Sequence, residues 1–486
     1  MNRLAAILLL ITVFSFQFVL ATVINISAPD YKNETIIWKK KFDYLSNKYK
    51  ILDQQIIDSN GKAKLIFDNN QIELTEISIG RSHGMLYVDT ATSTYNLFIP
   101  KDTLINKASL QKSNIEFLFI DFKENDINNL ILDFNLELDF FLYGDTNKII
   151  RMAKHNKEFQ DSLNVFKIYL SEKYKSYKIK YLHNYIRYEI ALLEQLAHQS
   201  KGDYYKSYLF ESYLKTNEIN YNNDAYMQFF NIFFRDVFKV SGLAINDKIK
   251  FAINNYNELE KLKEAMTNSR YFSNPKLTEL AIIKGLYDAY YSTDYIAENI
   301  ILFLKQIAKN SQWNLHRNIA SNCIAEITKL RVGATCPDFE FFSLENSDFS
   351  VNNFKGKYTY INFFASWNNN SLHEMEVINQ FQENYDFVNF ISINLDYNLK
   401  SFKKLAGSLS YDSWPIVYPL NKQGLISYFE LDHLPTHLLI DPNGDIYQYP
   451  ALPPTALYNN KSIDATFFKI QKKLSPDKKY RIGKKD

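Results

Sequence analysis

The spacing of hydrophobic and polar positions changes twice along the chain. Over residues 22–125, short runs such as "ETIIWKKKFDY", "YKILDQQIID" and "AKLIFDN" alternate apolar and polar positions, separated by turn residues such as Ser59-Asn60-Gly61. A period of two buries one face of a strand, and several such strands at this spacing predict a small antiparallel β-sandwich over 22–129. It contains no charged constellation that suggests catalysis. From 130 to 330 the period lengthens. "YLHNYIRYEIALLEQLAHQ", "AYMQFFNIFFRDVFKV" and "AENIILFLKQIAKN" carry apolar residues at i, i+3, i+4 and i+7, which predicts an all-α domain. Its Tyr and Phe stripes read as core. No fixed-period repeat emerges, and an array of helix pairs stays open.

Near residue 331 the texture changes again. A loop and a short strand pair lead to a turn at Lys355-Gly356-Lys357 and a buried strand over 358–366. A helix is predicted at about 370–384, a buried strand at 387–396 and a helix at 398–406. "WPIVYPL", a helix at "GLISYFE", the strand "THLLIDPNGD", its hairpin partner "IYQYPA" and a last helix at 462–474 follow. Strands alternating with helices imply a mixed, partly parallel sheet covered by helices on both faces, over 331–476. Residues 477–486 form a basic tail.

At 486 residues the chain is too long for one ordinary core, in keeping with several domains. Arg3, the apolar run 4–20 and the small-residue pattern at Val19 and Ala21 read as an export signal over 1–21, with a mature start near Thr22. An uncleaved membrane anchor is the competing reading, since the run nearly spans a bilayer. The formal charge is +2, from 56 basic and 54 acidic side chains. That balance offers no field to hold a polyanion, so nucleic acid is not an expected partner. No Walker loop, dinucleotide Gly pattern or Ser-His-Asp order is present, and no cofactor is expected. The two cysteines, Cys323 and Cys336, fit no metal motif. A disulfide between them and two unlinked buried thiols are both open.

Several ordered motifs occur together in the last third of the chain: Pro337-Asp338-Phe339, the Phe354-Lys-Gly-Lys357 turn, the strand ending in Ala365-Ser366-Trp367, Pro435-Thr436, and the hairpin Asp441-Pro442-Asn443-Gly444. In this combination residues 331–476 closely resemble the thioredoxin-fold proteins of the TlpA-like and alkyl-hydroperoxide-reductase/thiol-specific-antioxidant group. The whole layout looks like exported proteins of Bacteroidota. The resemblance implies a C-terminal α/β thioredoxin-like fold. In redox-active members a Cys-x-x-Cys follows the Trp at a helix N-terminus, where unpaired N–H groups and the helix dipole stabilise a thiolate. Here Asn368 takes the place of the nucleophile and Ser371 that of the resolving cysteine. Neither Cys323 nor Cys336 aligns with those positions.

Two readings of this corner follow. Asn368 to Ser371 simply start a helix, with Ser371-Leu-His-Glu374 at capping-box spacing, or the exposed N–H groups bind an anion or a partner's backbone. By the resemblance Pro435 aligns with the family's cis-proline, which either keeps a peptide-docking groove or only preserves the fold. Trp367, Asn368, Asn369, Asn370, Leu434 and Pro435 form the candidate binding set. His373, His433 and His437 flank the same corner, as a metal or ligand site or as separately solvated side chains. The expected function is an exported, redox-inactive protein that binds a protein or peptide in the cell envelope. The alternatives are a thiol-disulfide oxidoreductase working through Cys323 and Cys336, and the three-histidine site.

Overall fold

In a computed structural model the described residues are 21–475, apart from 122, 145–156, 198–201, 216–217, 240–242, 257, 267–269, 345–348, 408–413 and 456–460. Of the export signal expected over 1–21, residues 1–20 lie outside the described residues, as does the expected basic tail over 477–486.

The N-terminal strands are β1 (Ala21–Ser27), β2 (Thr35–Asp43), β3 (Lys48–Ile56), β4 (Lys62–Asp68), β5 (Glu73–Ile79), β6 (Ser82–Val88), β7 (Thr94–Phe98), β8 (Ser113–Asn114) and β9 (Leu118–Phe119). They form a four-stranded sheet, β4-β1-β7-β9, and a five-stranded sheet, β3-β2-β5-β6-β8. Ile24, Ile26 and Leu97 from the first sheet and Trp38, Ile77 and Leu86 from the second share one core. The sandwich is not wholly antiparallel, because β1 pairs with β7, and β6 with β8, in parallel. The chain leaves β1, builds strands of the other sheet and returns to β1 from the same end.

The helices that follow are α1 (Ile127–Tyr143), α2 (Lys157–Tyr174), α3 (Lys180–Ala197), α4 (Gly202–Leu209), α5 (Asp224–Phe233), α6 (Leu243–Phe251), α7 (Leu259–Met266), α8 (Pro275–Ala289), α9 (Ala297–Asn310) and α10 (Asn314–Thr328). Asp126 caps α1 by accepting a hydrogen bond from the Asn128 N–H at 2.9 Å. The aromatic stripes are core, as their spacing requires: Phe134, Tyr188, Tyr226, Phe229 and Phe230 are fully buried in one cluster. Tyr87 of β6 and Tyr181 of α3 both donate to the Asp224 carboxylate, at 3.0 and 2.8 Å, and this joins the sandwich to the helices.

Beside that junction, burial and then the Asp224 charge push the Glu189 carboxyl up to about 7. Between its ordinary value near 4.5 and about 7, the folded chain holds a proton that the unfolded chain releases. Stability therefore falls as pH rises through that window, and the penalty is complete above it. Glu189→Gln is expected to remove the fall, raising the stability of the helical region at pH 8 by on the order of 1–3 kcal/mol while changing little at pH 4.5. Denaturant melts followed by far-UV circular dichroism at the two pH values check this.

The C-terminal strands are β10 (Glu340–Phe342), β11 (Phe349–Ser350), β12 (Tyr358–Phe364), β13 (Val388–Asn394), β14 (Ile416–Pro419), β15 (Thr436–Ile440) and β16 (Ile446–Gln448). The helices are α11 (Asn369–Asn384), α12 (Leu399–Ala406), α13 (Lys422–Tyr428) and α14 (Asp464–Leu474). The sheet order is β11-β10-β14-β13-β12-β15-β16. β12 pairs with β13 in parallel and with β15 antiparallel, so the mixed sheet expected from the sequence is present. β12 is buried on both faces. Ile361 and Phe363 pack with Leu425 and Phe429 on one side, while Tyr360 and Phe364 pack with Met375, Ile378 and Phe467 on the other.

Candidate functional site

The strand β12 ends at Phe364, and Ala365-Ser366-Trp367 turns the chain directly into α11. Asn368 sits at the N-cap with extended backbone, and its side-chain oxygen accepts from the Ser371 N–H at 3.0 Å. Its amide nitrogen donates to the Leu434 carbonyl at 2.9 Å. One side chain therefore starts the helix and ties it to the loop before β15. The capping box read from the sequence is not used. Asn368 takes the capping role, the Ser371 hydroxyl is fully buried without a hydrogen-bond partner among the described residues, and Glu374 turns elsewhere.

Glu374 turns toward β15. Its Oε2 lies 3.0 Å from His437 Nε2, with both side chains buried. The two atoms are in ion-pair range but not in hydrogen-bond alignment, and neither has another hydrogen-bond partner among the described residues. Thr455 donates to the other carboxylate oxygen at 3.2 Å. The His437 ring stacks on Tyr360, with centroids 5.4 Å apart and planes 9° apart. His437 is the cross-strand partner of Asn362, so the two project from the same face of the sheet. Asn362 is fully buried, and both its side-chain polar atoms lack a partner among the described residues. A layer of polar groups thus lies under the α11 corner, each desolvated by burial and incompletely satisfied. Such groups raise the energy of the unliganded state by about 1–3 kcal/mol apiece.

Above this layer opens a cleft of about 450 Å³. Of the candidate binding set it takes in Asn370, Leu434 and Pro435, and the Leu434–Pro435 peptide is cis. Trp367, Asn368 and Asn369 do not line it. Trp367 is half-buried against the core on the other face of the sheet, Asn368 is spent on the cap and the Leu434 tie, and Asn369 is exposed. The cleft also takes in Glu374, Thr436, Pro450 and Thr455, which sequence reasoning missed. Glu374 was visible only as a partner in capping-box spacing.

All three candidate histidines line the cleft, yet they do not form a metal centre. His373 and His433 are exposed and face their own neighbours, Glu376 at 3.6 Å and Asp432, while His437 is buried on Glu374. Among the described residues no group of three His, Cys, Asp or Glu side chains is placed to hold a metal ion. Local carboxylates divide the imidazoles among separate partners.

The cysteines are free thiols, so the disulfide left open by the sequence is not formed. Cys323 is buried on α10 in the helical core, and Cys336 belongs to the C-terminal core. The two lie in separate clusters. Burial pushes the Cys323 thiol well up and the Cys336 thiol up to about 12. Both are therefore held far from the thiolate form that attacks a disulfide.

A family profile described as thioredoxin-like matches residues 356–446. The thiol-disulfide oxidoreductase ResA of Geobacillus kaustophilus (strain HTA426) is 30% identical over 132 residues, which span 27% of this chain and 75% of that protein. The thioredoxin-like protein YneN of Bacillus subtilis (strain 168) is 25% identical over 137 residues, spanning 28% and 77%. Among solved structures, the thioredoxin domain of a thiol-disulfide oxidoreductase from Bacteroides vulgatus is 20% identical with a TM-score of 0.21, covering 24% of this chain and 86% of that one. StoA from Bacillus subtilis is 25% identical with a TM-score of 0.20, covering 23% and 85%.

Proposed function

This chain belongs, through its C-terminal domain, to the thioredoxin-like family, and from that premise we propose that it is an exported, redox-inactive member that binds an extended peptide segment of a protein partner in the cell envelope. One observation carries the reading. The cleft beside Pro435 is floored by Glu374 and His437, which are buried 3.0 Å apart without an aligned hydrogen bond between them, and is walled by Asn370, His373 and Thr436. A segment that brings hydrogen-bond donors and acceptors to that floor recovers the desolvation of those groups on binding.

Redox inactivity is supported by the residues at the corner. The positions that the resemblance assigns to a dithiol hold Asn368 and Ser371, and the chain's own thiols are buried with raised pKa. The apolar N-terminal run and its small-residue pattern support export. No described helix is long and apolar enough to cross a membrane.

The test is hydrogen exchange on the chain from residue 21 onward, with peptides selected against it from a random library. Protection on binding is expected over 433–437 and 450–455. Selected peptides that protect only other regions, or a library that yields no binder, would sink the reading.

A further inference from the structure

The helical region leaves one apolar face uncovered. α1 and α2 run antiparallel: Lys173 pairs with Asp133 and Glu137 at 2.8 and 2.7 Å, Tyr169 donates to Glu137 at 2.9 Å, and Phe141 stacks on Phe166 at 4.3 Å. That seam fixes the hairpin and uses up its inner side chains. On the outer side Leu132, Leu136, Phe140 and Tyr143 follow one another at i+4, i+4 and i+3 along α1, with Val165 and Ile168 beside them on α2. All six are more than half exposed, up to 75% at Phe140. Phe140 of α1 and Val165 of α2 line one shallow groove of about 750 Å³, where the two stripes meet.

Six such side chains present on the order of 800 Å² of surface, at about 200 Å² for a large side chain. That exceeds the 300–600 Å² typical of the largest apolar patch on a monomer and matches the ~800 Å² each partner gives to a standard stable interface. Charge narrows the occupant. α1 carries Asp133, Glu137 and Asp139 and no basic residue, whereas α2 is balanced, with Lys157, Lys167 and Lys173 against Glu158, Asp161 and Glu172. The acidic rim disfavours an anionic lipid surface, which calls for a Lys- or Arg-rich face. It also disfavours α1 lying on another α1.

We propose that this face is covered by a second copy of the chain, with a two-fold axis running along the hairpin. That operation lays α1 of each copy over α2 of the other. Every neighbouring pair is then antiparallel, and a four-helix bundle closes. The dimer presents two peptide clefts, and its existence does not depend on what they bind.

Sedimentation of the chain from residue 21 onward, from sub-micromolar to about 100 µM, tests this, since interfaces of this area have micromolar or tighter affinity. A dimer is expected, with Phe140→Asp/Ile168→Asp dissociating at least about a hundredfold more readily. Both positions are exposed, so the far-UV circular dichroism of the variant should match the wild type. A wild-type chain that stays monomeric, whether free in solution or bound to phosphatidylcholine vesicles, overturns the proposal. So does a dimer that the double substitution leaves intact.

Discussion

With dithiothreitol as the electron donor, a chain carrying Asn368→Cys and Ser371→Cys is expected to catalyse insulin reduction, with turnover at least about tenfold above the unsubstituted chain. The reasoning starts at the first turn of α11. There the Ser371 N–H points at the side chain of residue 368, 3.0 Å from the oxygen it now meets. A thiolate at 368 would receive that N–H and the positive end of the helix dipole, and both lower the thiol pKa. Bringing it from an ordinary value near 8.5 to about 7 raises the thiolate fraction at neutral pH from a few per cent to about half. A cysteine at 371, one turn along, would then resolve the mixed disulfide. The substitution also removes the Asn368 cap and its bond to the Leu434 carbonyl, so about 1–2 kcal/mol of stability should be lost. A folded double variant that forms the 368–371 disulfide yet shows no turnover would mean that this corner does not correspond to the family's reactive corner.

Breaking the floor of the cleft should have the largest effect on stability. His437→Ala leaves the Glu374 carboxylate buried under the cleft with only Thr455 as a donor, and loses the stack on Tyr360. Removing one member of a buried pair typically destabilises by about 3–5 kcal/mol, because the other charge stays desolvated. The companion double variant, Glu374→Gln with His437→Ala, should recover a substantial part of that loss, since no charge then remains buried. Denaturant unfolding of the four chains gives the coupling directly. A His437→Ala chain as stable as the wild type would mean that the pair carries no ion-pair character.

Much of the C-terminal fold can be read from single segments. "YTYINFF" is apolar at almost every position, as a strand buried on both faces must be, and the helix after Trp367 follows from Asn and Ser at its start. The aromatic stripes of α3 and α5 have a helical period because one face of each helix packs inward. The site is less legible, since its parts meet only through β-sheet register. Nothing local links Glu374 to His437. They meet because β15 runs antiparallel to β12, with His437 opposite Asn362 and therefore on the α11 side of the sheet. Thr455 arrives from a loop beyond β16. Local spacing even misdirects here. Ser371 and Glu374 have the pattern of a capping box, and only the packing of α11 shows that Asn368 does the capping while Glu374 faces the cleft. The parallel pairing of β1 with β7 was equally hidden, because alternation within a strand does not report its neighbour's direction.

On the proposed function, the C-terminal domain keeps the thioredoxin-like fold without thiol chemistry. The sharpest test is dithiothreitol-driven insulin reduction by the chain from residue 21 onward, beside a Cys323→Ala/Cys336→Ala variant. Equal, background rates are expected for the two. Turnover by the unsubstituted chain that the double variant lacks would contradict that reading.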